Sequence, residues 1–149
     1  MIRTDKRIRL CTALLVCNLI FIWGNSLLPG EVSGAFSDWV KEILESLFAK
    51  GPEEPTSGGL LRKLAHFTEF MGLGMLLCWR FGMAEQKKTH LAAFSFLGSL
   101  MAACTDETIQ IFVDGRGSSL LDVWTDAFGA MTGIAVLFLG HHLIVKKHS

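Results

Sequence analysis

Between Leu10 and Leu28, and again between Ala127 and Val145, the chain contains no aspartate, glutamate, lysine or arginine. About 20 mostly apolar residues are what a helix needs to cross the hydrocarbon of a bilayer, and no other feature of the sequence restricts its fold so tightly. Composition agrees. Half of the 149 residues are hydrophobic and 19% are charged, against about 25% in soluble domains, and mean hydropathy is +0.41. The formal net charge is zero, so no global field draws in nucleic acid. The length suits a single domain, residues 1–149. Cys11, Cys17, Cys78 and Cys104 all lie in apolar runs, without the spacing of a zinc knuckle or a redox pair. They read as small packing residues.

Two more apolar stretches complete an all-α, polytopic bundle of four spans, at approximately 10–28, 60–80, 91–113 and 120–145. Only the first and last are unmistakable by hydropathy. The second is interrupted by His66 and Glu69, and the third is clean until Asp106 and Glu107. A charged residue at the centre of a spanning helix costs about 2.5–3.5 kcal/mol on insertion scales, so these residues require a protein or aqueous environment. Basic residues in short segments mark the cytoplasmic side. Arg3, Lys6, Arg7 and Arg9 precede the first span, Arg80, Lys87 and Lys88 join the second to the third, and Lys146 and Lys147 follow the fourth. The expected topology is therefore N-in and C-in. The first span, with its basic flank, has the outline of a signal peptide. Its length and the absence of a small-x-small site at Asn25-Ser26-Leu27 favour an uncleaved anchor instead.

In the first external segment, Phe36, Trp39, Val40, Ile43, Leu44, Leu47 and Phe48 recur at helical spacing among charged residues. The pattern predicts an extracytoplasmic amphipathic helix opened by Ser33 or Ser37 and closed by Lys50-Gly51-Pro52. It lies in the outer interface or packs on the bundle as a lid. The stretch from Gly51 to Gly59 reads as a linker. Gly72, Gly74, Gly98 and the Gly129-x3-Gly133 pair are expected at helix contacts. Trp23, Trp79 and Trp124 are expected in aromatic belts.

With this topology the ionisable residues fall into one layer. At 1.5 Å per residue, His66 lies about 9 Å below the outer end of the second span and Asp126 about 9 Å below that of the fourth. Lys63, His66 and Glu69 are successive i, i+3 neighbours; Asp106, Glu107 and Gln110 occupy the end of the third span; Asp122 and Asp126 are i, i+4. Arg116 sits in the connection between the third and fourth spans, beside Asp114, which reads as a turn residue next to Gly115 and Gly117. Polar faces on three apolar helices are satisfied by facing one another or water. The expectation is an outward-facing pocket lined by Lys63, His66, Glu69, Asp106, Glu107, Gln110, Arg116, Asp122 and Asp126. A purely structural network, with Arg62, Lys63 and Arg116 neutralising carboxylates, is the alternative. The excess of acid over base calls for protons, a cation or a ligand.

The segment Lys63-Leu-Ala-His66-Phe-Thr-Glu69-Phe-Met-Gly-Leu-Gly resembles the second-span motif of VanZ-like bacterial membrane proteins. Asp106-Glu107-x2-Gln110-x-Phe112 through Arg116, followed by Asp122 and Gly129-x3-Gly133, is similar to that family's second hallmark, and Trp23-Gly-Asn25-Ser26-x2-Pro29 to its serine-proline signature. Asp126 stands where the family often has asparagine, and Asn25-Ser26 where a serine pair is usual. The resemblance implies a multi-pass protein of the bacterial cytoplasmic membrane. The founding member is associated with resistance to teicoplanin-type lipoglycopeptides.

Three functions fit these residues. In the first, the pocket engages an amphiphilic or lipid-linked ligand, such as a cell-wall intermediate or a lipoglycopeptide. Glu69, Asp106 and Glu107 then meet a cation or proton-bearing group, His66 holds or relays a proton, and Arg116 pairs with an anionic head group. In the second, the protein is a metal-assisted hydrolase or transferase, with His66, Glu69, Asp106 and Glu107 as catalytic candidates and a divalent cation as the ion they would hold. The sequence itself calls for no cofactor and shows no recognised metal motif. In the third, the bundle is structural or partner-binding.

Overall fold

The computed structural model describes residues 2–48, 57–84 and 87–147. They form five helices: α1 (Ile2–Ser26), α2 (Gly30–Phe48), α3 (Ser57–Gly82), α4 (Lys88–Ile111) and α5 (Leu120–Lys147). No strand occurs among the described residues. Among the described residues, two segments are long and apolar enough to cross a membrane, Lys6–Ser26 of α1 and Leu120–Leu143 of α5. α3 and α4 have comparable lengths, 26 and 24 residues, but carry the polar residues that lower their hydropathy.

α1, α3, α4 and α5 meet around Ile22, Phe70, Leu73, Leu77, Ala102 and Ala103, with Leu15, Leu19, Trp23, Phe81 and Val123 packed against them. The closest approach is between α3 and α5, and glycine permits it. A Cβ on Gly129 would fall on the carbonyl oxygen of Phe67, and one on Gly133 on that of Met71; from the other side, a Cβ on Gly74 would meet the backbone of Ala130. The Gly129-x3-Gly133 spacing therefore forms a flat strip on which α3 lies. Cys11 and Cys78 are buried, and all four cysteines are free.

Several local expectations are corrected. The amphipathic helix starts at Gly30, earlier than Ser33 or Ser37. Pro29 initiates it: the Ser33 N–H bonds the Pro29 carbonyl, and the Gly30 N–H reaches across to the Asp114 carbonyl in the α4–α5 connection. Gly115, at φ +72°, makes the sharp turn there that only glycine adopts cheaply. The close of α2 at Lys50-Gly51-Pro52 lies outside the described residues, as does most of the expected linker. Ser57, Gly58 and Gly59 at the end of that linker are helical; serine is a favourable helix opener, and the glycines sit in the first turn. Trp23 is not a belt residue. It packs on the core, with Nε1 directed at the Ala102 carbonyl at 3.4 Å, whereas Trp124 and Trp79 are exposed. α4 ends at Ile111, where Phe112 and Val113 turn back onto Ile109 and Gln110.

Candidate functional site

At one end of the bundle, four helices contribute polar side chains to a common cluster. The last turn of α1 supplies Asn25 and Ser26. Ser26, 1% exposed, donates to Asp106 Oδ1 of α4 at 2.6 Å. Gln110, one turn beyond Asp106, donates from Nε2 to Asp106 Oδ2 at 2.9 Å and lies 3.3 Å from Ser26 Oγ. Both oxygens of this fully buried carboxylate are thereby fixed. Asn25 Nδ2 donates to Glu69 Oε1 of α3 at 2.9 Å, while Glu69 Oε2 is buried without a hydrogen-bond partner.

His66, one turn before Glu69, directs Nδ1 between two carboxylates. Asp106 Oδ2 is 3.7 Å away and Asp126 Oδ1, on α5, is 3.6 Å away. Neither separation is a hydrogen bond. Asp126 is 0% exposed, and neither of its oxygens has a hydrogen-bond partner, nor does His66 Nδ1. The three ligand-type atoms lie within 4.8 Å of one another.

Glu107 and Asp122 face a different task. Ser119 caps α5: its carbonyl accepts from Asp122 and Val123, and its hydroxyl from the Leu121 N–H. Glu107 Oε2 accepts the Ser119 N–H at 2.7 Å, placing a carboxylate against the positive end of α5, where it is favourable. Asp122, in the first turn of α5, pairs with Arg62 of α3 at 3.4 Å. Arg116 ties the α4–α5 connection to α1, donating from Nη2 to the Asn25 carbonyl at 2.7 Å and from Nε to the Leu28 carbonyl at 3.1 Å. Its Nη1 has no partner. Burial, with the Arg62 guanidinium close by, holds Arg116 below its ordinary pKa range.

Beside this cluster lies a cavity of about 580 Å³. Arg62, Arg116, His66, Glu69 and Asn25 form its polar wall, and Phe21, Leu28, Val32 and Ala65 its apolar wall. Val32 and Ser33 bring the first turn of α2 to its rim.

Of the residues expected from sequence, His66, Glu69, Asp106, Gln110 and Asp126 are drawn together by contacts. Glu107, Arg116 and Asp122 hold the ends of helices around them. Lys63 is exposed on α3 and stands apart. Asn25, Ser26 and Ser119 are partners beyond the residues expected to line the pocket, and Arg62, expected as a neutralising cation, pairs with Asp122. Asn25 and Ser26 carried a signal, since they are polar residues at the end of a long apolar run at the level of the acidic layer.

A model of the VanZ/LLP1 family matches residues 11–141. No curated protein matches the chain, and no solved structure does. The matched stretch contains every residue of the cluster and well over half of the sequence, and the chain accordingly belongs to the VanZ/LLP1 family.

Proposed function

We propose that this VanZ/LLP1-family chain is a four-span protein of the bacterial cytoplasmic membrane, N-in and C-in, whose cavity faces outward and binds an anionic amphiphile. Family membership and two long apolar helices point to a membrane protein. For α3 and α4, the support comes from which side chains point where. At 26 and 24 residues they reach about 39 and 36 Å, enough for a hydrocarbon layer of about 30 Å. Asp106, Glu107 and Gln110 of α4 are buried, whereas its Phe94, Leu97, Met101 and Ile111 are exposed. A helix with polar residues inside and apolar residues outside suits lipid. α1 supplies Asn25 and Ser26 to the cluster, which favours a retained anchor over a cleaved leader.

The observation that carries the binding reading is the two-sided cavity. Two guanidiniums, Arg62 and Arg116, share it with Phe21, Leu28 and Val32. Neighbouring half-buried cations favour an anion between them, and guanidinium suits phosphate or carboxylate; the apolar wall suits a prenyl or acyl chain. A lipid-linked envelope intermediate meets both demands. A teicoplanin-type lipoglycopeptide is also an amphiphile, and a contribution to resistance would follow from the same cavity.

Mass spectrometry of lipids retained by the purified full chain tests this reading. Wild-type protein is expected to retain a phosphate-bearing lipid that Arg116→Ala loses. Retention of the same lipids by both, or of none by wild type, refutes the binding site and leaves the structural bundle as the reading. The enzyme reading is favoured by one observation, the His66–Asp106–Asp126 trio.

A further inference from the structure

We propose that His66 Nδ1, Asp106 and Asp126 form a binding site for one divalent transition-metal ion of the zinc class, at the floor of the cavity. The residues come from three helices, and all three ligand-type atoms lie within 4.8 Å of one another. Tetrahedral zinc at metal–ligand distances of about 2.1 Å has ligand–ligand edges of about 3.4 Å. The His66 Nδ1 separations, 3.7 Å to Asp106 Oδ2 and 3.6 Å to Asp126 Oδ1, are close to that edge and too long for hydrogen bonds.

Asp126 supplies the independent observation. It is 0% exposed, and both its oxygens are without a hydrogen-bond partner. A buried carboxylate in that condition carries a large desolvation cost that a cation removes. Charge closes within the ligand set as well: two carboxylates and a neutral imidazole balance one divalent ion, leaving the three-residue site itself neutral. The imidazole ligand and the small number of protein donors favour zinc over magnesium or calcium, which prefer all-oxygen shells. Ser26 and Gln110 complete the design from outside. Their hydrogen bonds fix both oxygens of Asp106, as outer-shell donors orient ligating carboxylates in metal sites.

Of the three ligands only His66 lines the cavity, so the ion would lie behind its imidazole, against the two buried carboxylates. The metal site stands independently of the binding reading above.

The test is elemental analysis and thermal unfolding of the full chain in detergent, with Zn²⁺ as the probe. Wild type is expected to carry stoichiometric metal, to lose melting temperature on EDTA treatment and to regain it with Zn²⁺. Asp126→Asn, which keeps shape and removes the charge, is expected to carry no metal and to respond to neither treatment. Ser26→Ala, which removes only the support of Asp106, is expected to weaken zinc binding by about 10–100-fold. Wild type that holds no metal and whose melting temperature is indifferent to Zn²⁺ overturns the site, whatever the variants do; so does Asp126→Asn protein with undiminished metal. Lipid analysis of the same samples separates the two proposals. Lipid without metal refutes only the ion site, and metal without lipid refutes only the amphiphile.

Discussion

Replacing Gly133 by alanine adds one methyl group where α5 lies directly on α3. In an ordinary helix that change is stabilising by about 1 kcal/mol, because glycine gives up more backbone entropy than alanine. At Gly133 the new Cβ would fall on the carbonyl oxygen of Met71, inside any allowed separation. That oxygen belongs to a helix and cannot swing aside as a side chain would. The two helices must separate, and overpacking of this kind costs about 1–3 kcal/mol, so after the propensity gain the net expectation is a loss of about 0–2 kcal/mol. Gly140 provides the internal control, because a Cβ there meets no atom within 4 Å, and Gly140→Ala should gain up to about 1 kcal/mol. Reversible unfolding in mixed micelles would therefore place the two variants about 1–3 kcal/mol apart. A second readout follows from the site. α3 carries His66 and α5 carries Asp126, 3.6 Å apart, so forcing these helices apart should also weaken metal retention, while Gly140→Ala should not. Equal stability of the two variants would refute the glycine-mediated contact as the feature that sets the α3–α5 spacing.

Two further substitutions probe individual parts of the cluster. Ser26→Ala removes a 2.6 Å hydrogen bond to a buried carboxylate, worth about 1.5–3 kcal/mol; Thr125→Ala, whose exposed hydroxyl bonds the Leu121 carbonyl of its own helix, should change stability little in the same unfolding assay. Glu107→Ala deprives the Ser119 N–H of its acceptor and should cost about 1–2 kcal/mol, as loss of a helix cap does, whereas Glu107→Gln keeps an acceptor and should lie near wild type. Loss of bound lipid or metal in Glu107→Gln protein with an unchanged melting temperature would show that Glu107 belongs to the site after all.

Much of this arrangement is written in the chain. The charge-free runs at 10–28 and 127–145 fix two helices, because lipid-compatible segments of that length have few alternatives to helix. The need to hide acid in apolar helices groups His66, Glu69, Asp106, Gln110 and Asp126 in one layer, and these side chains lie together in the structure. Helical phase explains the misplacement of Lys63. Three residues advance a helix by about 300°, so Lys63 and Glu69, two such steps apart, differ by about 120° and do not share a face. What periodicity cannot contain is partnership across long separations. Ser26 meets Asp106 80 positions away, and the Glu107 carboxylate meets a backbone N–H, which no side-chain pattern encodes. The early start of α2 has the same origin, since it depends on the Asp114 carbonyl arriving from the far connection.

The central claim is a cavity that opens outward and holds an anionic amphiphile, and Thr68 offers the most direct access to it. It lines the cavity and is exposed. In a background with the exposed Cys17 and Cys104 replaced by alanine, Thr68→Cys should react with a membrane-impermeant maleimide added outside intact spheroplasts. In proteoliposomes, a short-chain prenyl phosphate should slow that reaction, and the same prenyl alcohol without phosphate should not. Labelling only after the membrane is permeabilised, or at a rate that the phosphate leaves unchanged, would contradict the account.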